Sequence, residues 1–296
     1  MLAEIKESGV NENMEVLNIK QEQEVLSLLT GISFANVPYW YGGTRRDLKM
    51  DLIIPKHTEG HEPCPVVVWV CGGAFMVADR SIWMPEMVRF ARGGYVVASV
   101  EYRTSNDAPF PAPLMDIKSA IRYLKAHSKE FCIDPEKIFI MGESAGGTLA
   151  SLAGTTSDQK EYEQGDFLEF DSSVCGVVDF YGITDITGKN ECAGSEDVPD
   201  YAAEAFLGWG KSKETAVRAS AVYQITDKTP PFMILHGTDD ALVPLEQSGT
   251  FYEELKKKGR DVVYYVLEGA GHGDDRFYQD EVIKIILKFL DRVSGK

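Results

Sequence analysis

Six short apolar runs, at residues 66–71, 95–100, 137–141, 174–181, 232–236 and 262–267, recur along this chain with helix-like stretches between them. Each run is apolar on successive positions, as in a strand covered on both faces, and alternation with helices is what parallel βαβ units require. The stretches at 83–92, 113–127, 145–155, 245–258 and 275–292 are read as helices. In the last of them Val282, Ile285, Ile286, Phe289 and Leu290 fall at helical spacing, a stripe that faces a core. Ahead of the first run, 31–37 and 47–54 read as two antiparallel strands, the second alternating Leu48, Met50 and Leu52 until Pro55 stops it. The expected class is α/β, a mostly parallel central sheet flanked by helices.

With 296 residues, 44% of them hydrophobic, the chain can bury one large core, and residues 1–296 are read as a single domain. Three stretches break the rhythm. Residues 1–30 are largely polar, an N-terminal arm or cap segment in which 24–29 fit a short amphipathic helical turn or two. Residues 157–173 are acidic and loop-like, and about 184–221 form a cap-like insertion with a short Ala-rich segment around 201–207. Ligands of open parallel sheets sit beyond the carboxyl ends of the strands, so the last two excursions are expected to shape the pocket there.

Charge and cysteine usage exclude several functions. Thirty basic against 46 acidic side chains leave a formal charge of -16, which repels phosphate backbones and anionic lipid, so neither nucleic acid nor a membrane is an expected partner. The cluster Lys256-Lys257-Lys258 with Arg260 follows Glu253-Glu254 and reads as the solvated end of a helix. No stretch approaches the ~20 apolar residues of a membrane span, and residues 1–24 lack the apolar core of a signal peptide. Cys64, Cys71, Cys132, Cys175 and Cys192 are odd in number and dispersed, which argues against a disulfide framework and against a structural zinc site. The expected compartment is the cytoplasm.

The chemistry-bearing motif is Gly142-Glu143-Ser144-Ala145-Gly146. Such a pentapeptide recurs by chance, but here the buried-strand run Ile138-Phe139-Ile140-Met141 precedes it and a helix-forming stretch starts at Ala145. That strand, sharp turn and helix is the setting in which a serine is exposed as a nucleophile. A hydroxyl needs a base, and the base an orienting carboxylate. Of the five histidines, His57 and His61 lie in a polar loop before the sheet, His127 late in a helix and His236 at a strand end. His272, in Gly269-Ala270-Gly271-His272-Gly273, stands in a flexible loop after the last strand, where an imidazole can reach over the turn. In chain order the acid lies between nucleophile and histidine. Asp239 and Asp240 both qualify, with Asp179 and Asp185 as lesser candidates read as cap or turn residues. Acyl transfer also needs amide donors for an oxyanion, and Cys71-Gly72-Gly73-Ala74-Phe75 after the first strand run leaves the Gly73 and Ala74 amides uncovered, to act with that of Ala145.

With these blocks placed, residues 47–290 resemble the hormone-sensitive-lipase-like branch of the α/β-hydrolases, and within it the small bacterial BD-FAE-like esterases. Further matching blocks are Glu101-Tyr102-Arg103, Ala108-Pro109-Phe110-Pro111-Ala112-Pro113 with Asp116, Ile133-Asp134-Pro135-Glu136-Lys137-Ile138 and Asp179-Phe180-Tyr181-Gly182. The resemblance implies an α/β-hydrolase fold with Ser144, Asp240 and His272 as catalytic residues, because the family's acid stands four positions after the strand-end histidine, here His236. It also implies a small-molecule or oligosaccharide ester substrate, short acyl groups on acetylated carbohydrates or feruloyl-type esters, and no metal or organic cofactor. One departure stands out: the family usually has His where this chain has Cys71, which removes a brace of the oxyanion loop. The same constellation also serves dipeptidyl- or aminopeptidase-like amide hydrolases and, where catalysis is lost, ligand-binding members of the fold; the presence of His272 disfavours the latter. Trp40, Tyr41, Phe75, Trp83 and Trp209 are candidates to line the alcohol or acyl side, and equally candidates for core or surface.

Overall fold

The computed structural model describes residues 17–20, 22, 25–38, 44–56, 62–188 and 201–296. Eight strands, β1 (Leu26–Pro38), β2 (Arg45–Pro55), β3 (Cys64–Val70), β4 (Val96–Val100), β5 (Ile133–Glu143), β6 (Gly176–Phe180), β7 (Phe232–Gly237) and β8 (Val262–Leu267), form one sheet in the order β1-β2-β4-β3-β5-β6-β7-β8. β1 pairs antiparallel with β2 and β2 with β4, while every other neighbouring pair is parallel. The eight helices are α1 (Met84–Arg92), α2 (Ala112–Ala126), α3 (Ser128–Phe131), α4 (Ala145–Thr155), α5 (Tyr201–Leu207), α6 (Lys213–Arg218), α7 (Leu245–Lys257) and α8 (Asp280–Ser294), counted among the described residues.

Continuous apolar strands imply two cores, and side-chain alternation divides them. Val66, Val68, Val70, Ile138 and Ile140 pack with Leu114, Ile117 and Ile121 of α2, Leu149 and Leu152 of α4, and Phe251 and Leu255 of α7. Val67, Trp69, Phe139, Met141 and Phe180 pack on the other face with Met87 and Phe90 of α1 and with α8. The α8 stripe runs through Ile283, Ile286, Phe289 and Leu290, with Val282 and Ile285 partly buried at its margin. Its expected start at 275 is a separate 3-10 turn, Asp275–Tyr278, because the Asp274 carboxylate accepts the Arg276 amide and begins a tighter coil there.

One expectation is corrected. Residues 26–29 are strand, not helix: Leu26 to Leu29 pair with Pro55 to Leu52, and ladder hydrogen bonds on an existing strand outweigh a short segment's weak helical preference. Of the rest of the expected arm, 1–16, 21, 23 and 24 lie outside the described residues, as do Trp40, Tyr41, His57, His61 and Cys192. Residues 157–173 pack partly toward the cap-like segment, Tyr162 meeting Phe110 edge to face at 5.9 Å and Phe110 meeting Phe206 of α5 at 5.7 Å. They follow α4, which runs back along the sheet for ~16 Å, and they are clamped to α2 through Glu163 with Lys118 and Arg122, and Asp171 with Lys125. Of 184–221, residues 189–200 lie outside the described part, and α5 leans toward the loop after β3 by stacking Phe206 on Phe75 at 4.0 Å. Among the described residues no helix is long and apolar enough to cross a membrane.

The sheet has one point where its winding reverses. The chain passes from β3 outward to β4, then returns to place β5 on the other flank of β3, with Val70 opposite Gly142. The loops leaving the carboxyl ends of β3 and β5 therefore diverge and open a crevice, the position where ligands of such sheets bind.

Just beneath it, on β6, the buried Asp179 carboxylate accepts Ser151 Oγ at 3.0 Å and Gly182 N at 3.0 Å. Burial pushes this carboxyl up to about 6, the two hydrogen bonds offsetting only part of the effect. A carboxyl raised above its unfolded value contributes stability while protonated, fully so below about pH 4, and that contribution is lost as the pH rises through about 6. Asp179→Asn keeps an acceptor for Gly182 N and removes the charge. Its melting temperature should match the parent's near about pH 4 and exceed it near about pH 7.5, by an amount on the order of 2–3 kcal/mol of stability; parallel thermal melts across this range check it.

Candidate active site

Ser144 sits between the end of β5 and the start of α4 with φ 55° and ψ −122°, a left-handed backbone that costs a non-glycine residue on the order of 1–2 kcal/mol. Its amide donates to Phe180 O at 2.9 Å, and its carbonyl accepts Thr148 N at 3.0 Å. A side chain at Gly142 would run into the Gly146 carbonyl, and one at Gly146 into the Val70 carbonyl. The glycines of the motif are thus required by the pressure of the α4 start against β3 and β5, which leaves the serine side chain at the crevice.

His272 Nε2 lies 2.9 Å from Ser144 Oγ, and His272 Nδ1 lies 2.8 Å from Asp240 Oδ2. An ionised carboxylate only accepts, so Nδ1 carries a proton and the lone pair of Nε2 faces the hydroxyl. The Asp240 side chain is shielded from solvent and also accepts Leu242 N at 2.9 Å and Val243 N at 2.8 Å, with His236 Nε2 at 3.2 Å. Burial pulls this carboxyl up, but the hydrogen bonds from His236, His272 and the two amides outweigh it and hold the group well below the usual carboxylate range. The Tyr181 ring meets His272 edge to face at 4.7 Å and restricts the imidazole from the other side.

The remaining candidates separate from this chain of contacts. The Asp239 carboxylate accepts Thr238 Oγ1 at 2.8 Å in an exposed turn. Asp185 accepts Thr187 N and Tyr223 OH, a turn role like the one expected, and Asp179 is held as described above. His127 packs on Tyr123 at the end of α2. His236 is tied at its strand end by three partners: its Nε2 donates to Val243 O at 2.9 Å and reaches Asp240, while Nδ1 meets Ser248 Oγ at 2.7 Å.

The loop after β3 is strained and well tied. Gly73 (φ 125°), Ala74 (φ 52°) and Phe75 (φ 60°) are all left-handed. Phe75 O accepts Ser105 N at 2.7 Å, Cys71 O accepts Tyr102 OH at 3.0 Å, and Glu143 accepts the Gly72 amide. Among the described residues the amides of Gly73, Ala74 and Ala145 take no protein acceptor. With Cys71 at this position, the loop is braced by Tyr102, Ser105 and Glu143. The Cys71 thiol is pushed up to about 12, first by burial and then by the Glu143 charge, so it is no nucleophile at neutral pH. Sequence reasoning did not single out Tyr102 or Glu143, whose roles depend on a loop that only the β3–β5 pairing brings to them. Of the candidate lining aromatics, Phe75 is buried against Phe206 and Trp83 stacks on Tyr278 at 4.2 Å; Trp209 is exposed and pairs with exposed Tyr201 at 4.8 Å.

Sheet order, elbow and crevice define the α/β-hydrolase fold. A sequence model of the BD-FAE family matches residues 50–255, and the chain belongs to that family. It is 33% identical over 218 residues to esterase LipC of Mycobacterium tuberculosis, covering 72% of this chain and 54% of LipC. The chain spans about half the length of the sequence relatives it matches. A truncated carbohydrate esterase from gut microbiota superposes with a TM-score of 0.80 at 24% identity over 94% of this chain and 99% of that one. The propionate-bound esterase Est2 of Thermogutta terrifontis superposes with a TM-score of 0.71 at 25% identity over 88% and 94%.

The hydroxyl–imidazole–carboxylate geometry predicts that Ser144 reacts with a fluorophosphonate probe. Asp240→Asn should slow labelling on the order of a thousandfold by presenting the wrong tautomer of His272, while Asp239→Asn should leave it unchanged; mass spectrometry of the labelled peptide over time distinguishes them.

Proposed function

We propose that the protein is a serine carboxylic-ester hydrolase for short acyl groups, with Ser144 as nucleophile, His272 as general base and acid, and Asp240 as the orienting carboxylate. The observation that carries this reading is the unbroken contact chain from Ser144 Oγ through both nitrogens of His272 to Asp240, seated on a left-handed serine. Ser144 Oγ attacks the ester carbonyl carbon while its proton passes to His272 Nε2. The oxyanion is received by the amides of Gly73, Ala74 and Ala145. Collapse expels the alcohol with the proton from His272, leaving an acyl-serine. Water then gives a proton to His272 as it attacks the acyl carbon, and the acid departs as Ser144 is restored. Asp240 stays ionised throughout and stabilises the imidazolium, in keeping with its depressed titration.

The esterase name of LipC and the propionate held by Est2 support an ester substrate with a short acyl chain. For the alcohol side we favour an acetylated carbohydrate. Tyr201 and Trp209 stand exposed next to one another on the segment that leans over the 71–75 loop through Phe206, and exposed aromatic faces suit the apolar faces of sugar rings. Residues 1–296 acting as one domain, with about 184–221 as its cap, belong to this proposal, as does a cytoplasmic setting in which Cys71 and Cys175 remain thiols.

Ser144→Ala should lower turnover of p-nitrophenyl acetate on the order of a millionfold with an unchanged circular dichroism spectrum; retained turnover would overturn the proposal, and faster cleavage of an aminoacyl anilide would redirect it to amide bonds. Replacing Tyr201 and Trp209 by Ala should raise the KM for acetylated xylo-oligosaccharides up to about tenfold more than that for p-nitrophenyl acetate, and equal changes would remove the carbohydrate assignment.

A further inference from the structure

Glu143, the variable position of the Gly142-Glu143-Ser144-Ala145-Gly146 motif, has no part in the proton transfers above, yet its side chain is buried at the crevice. Its Oε1 accepts the Gly72 amide and, at 3.2 Å, the Trp83 indole Nε1. The carboxylate crosses the loop backbone so closely that a Cβ at Gly72 would collide with both of its oxygens and with Cδ. A side chain at 72 would therefore have to push the Glu143 carboxylate aside. Trp83 is held in turn by its stack on Tyr278, which is stacked on Phe180 beside the elbow. Glu143 thus joins the residue before Ser144 to the residue before Gly73, the two sides of the crevice.

From this geometry we infer that Glu143 is a positioning residue: its carboxylate takes up the Gly72 amide and so aims the next two amides, Gly73 and Ala74, at the developing oxyanion. The inference rests on the esterase reading above. A loop left-handed at three consecutive residues needs an external hold, and the holds at Cys71 O and Phe75 O lie on either side of the amides that matter. Burial raises the Glu143 carboxyl, and the donors from Gly72 and Trp83 offset only part of that rise. Cys71, where a bracing histidine is usual, offers only a buried thiol, so the work of aiming the loop falls to the neighbouring carboxylate. Glu143 acts through the amides and touches no reacting atom.

The test compares Glu143→Leu, which fills the site without an acceptor, with Glu143→Gln, which keeps one. An oxyanion donor acts on the transition state, so Glu143→Leu should reduce kcat for p-nitrophenyl acetate on the order of a hundredfold with KM within about twofold, and Glu143→Gln should recover most of that loss. A purely structural role would spread the loss over kcat and KM and would not distinguish the two variants. Unchanged kcat in Glu143→Leu, or equal losses in Leu and Gln, would overturn the inference. Should Glu143→Leu fail to fold, Trp83→Phe keeps the stack on Tyr278 and removes one donor; it should lower kcat alone, and an unaltered kcat would equally overturn it. Ser144→Ala run alongside separates the two claims: activity surviving in it defeats the esterase reading, whereas activity lost there but retained in Glu143→Leu defeats only this inference.

Discussion

The backbone of Ser144 is the constraint around which the rest of the site is arranged. A left-handed serine is unfavourable in isolation, so the surroundings must over-determine it. They do so by crowding: β3 and β5 lie in register, Val70 opposite Gly142, and the first turn of α4 descends onto both with only hydrogen atoms at Gly142 and Gly146 to spare. The Phe180 carbonyl on β6 then takes the serine amide. Three adjacent strands and one helix have to be in place before the hydroxyl reaches the crevice, which makes its placement a product of the whole central sheet rather than of its pentapeptide.

The carboxylate of Asp240 carries a comparable share of the organisation. It lies between two imidazoles, one buried at the end of β7 and one on the glycine-rich loop after β8, and it collects two backbone amides as well. In a chain of net charge -16 an extra buried negative charge needs compensation. The compensation here is local and made of hydrogen bonds, with no arginine or lysine among the described residues paired to it. His236 ties the carboxylate to the sheet, and His272 is positioned by the carboxylate, so the imidazole over the crevice inherits its placement from a residue in the core.

Much of this was legible in the amino-acid sequence because it follows from periodicity and order. The continuous runs that became β3 to β8, the helix from Ala145 to Thr155, and the placement of His272 after the last strand are all consequences of patterns a few residues long. The choice of Asp240 over Asp239 was not, since adjacent turn residues differ only in the direction they point; it came from the family pattern and agrees with the contacts. The failure has a non-local cause. Leu26 to Leu29 became strand because β2 offered a ladder. Glu143, Tyr102 and Trp83 share that non-local character: each acts on a backbone group that the chain brings near only after the sheet has formed.

The ion cluster of Lys118, Arg122 and Glu163 has a further meaning. It closes the end of the sheet to which α4 descends, about sixteen ångströms from the elbow by the length of that helix. Groups that far apart with no shared partners respond to substitution almost independently. The molecule therefore has a floor and a mouth that selection can adjust separately: changes in the floor alter how long the fold endures, and changes in the mouth alter what can reach Ser144, with little exchange between the two.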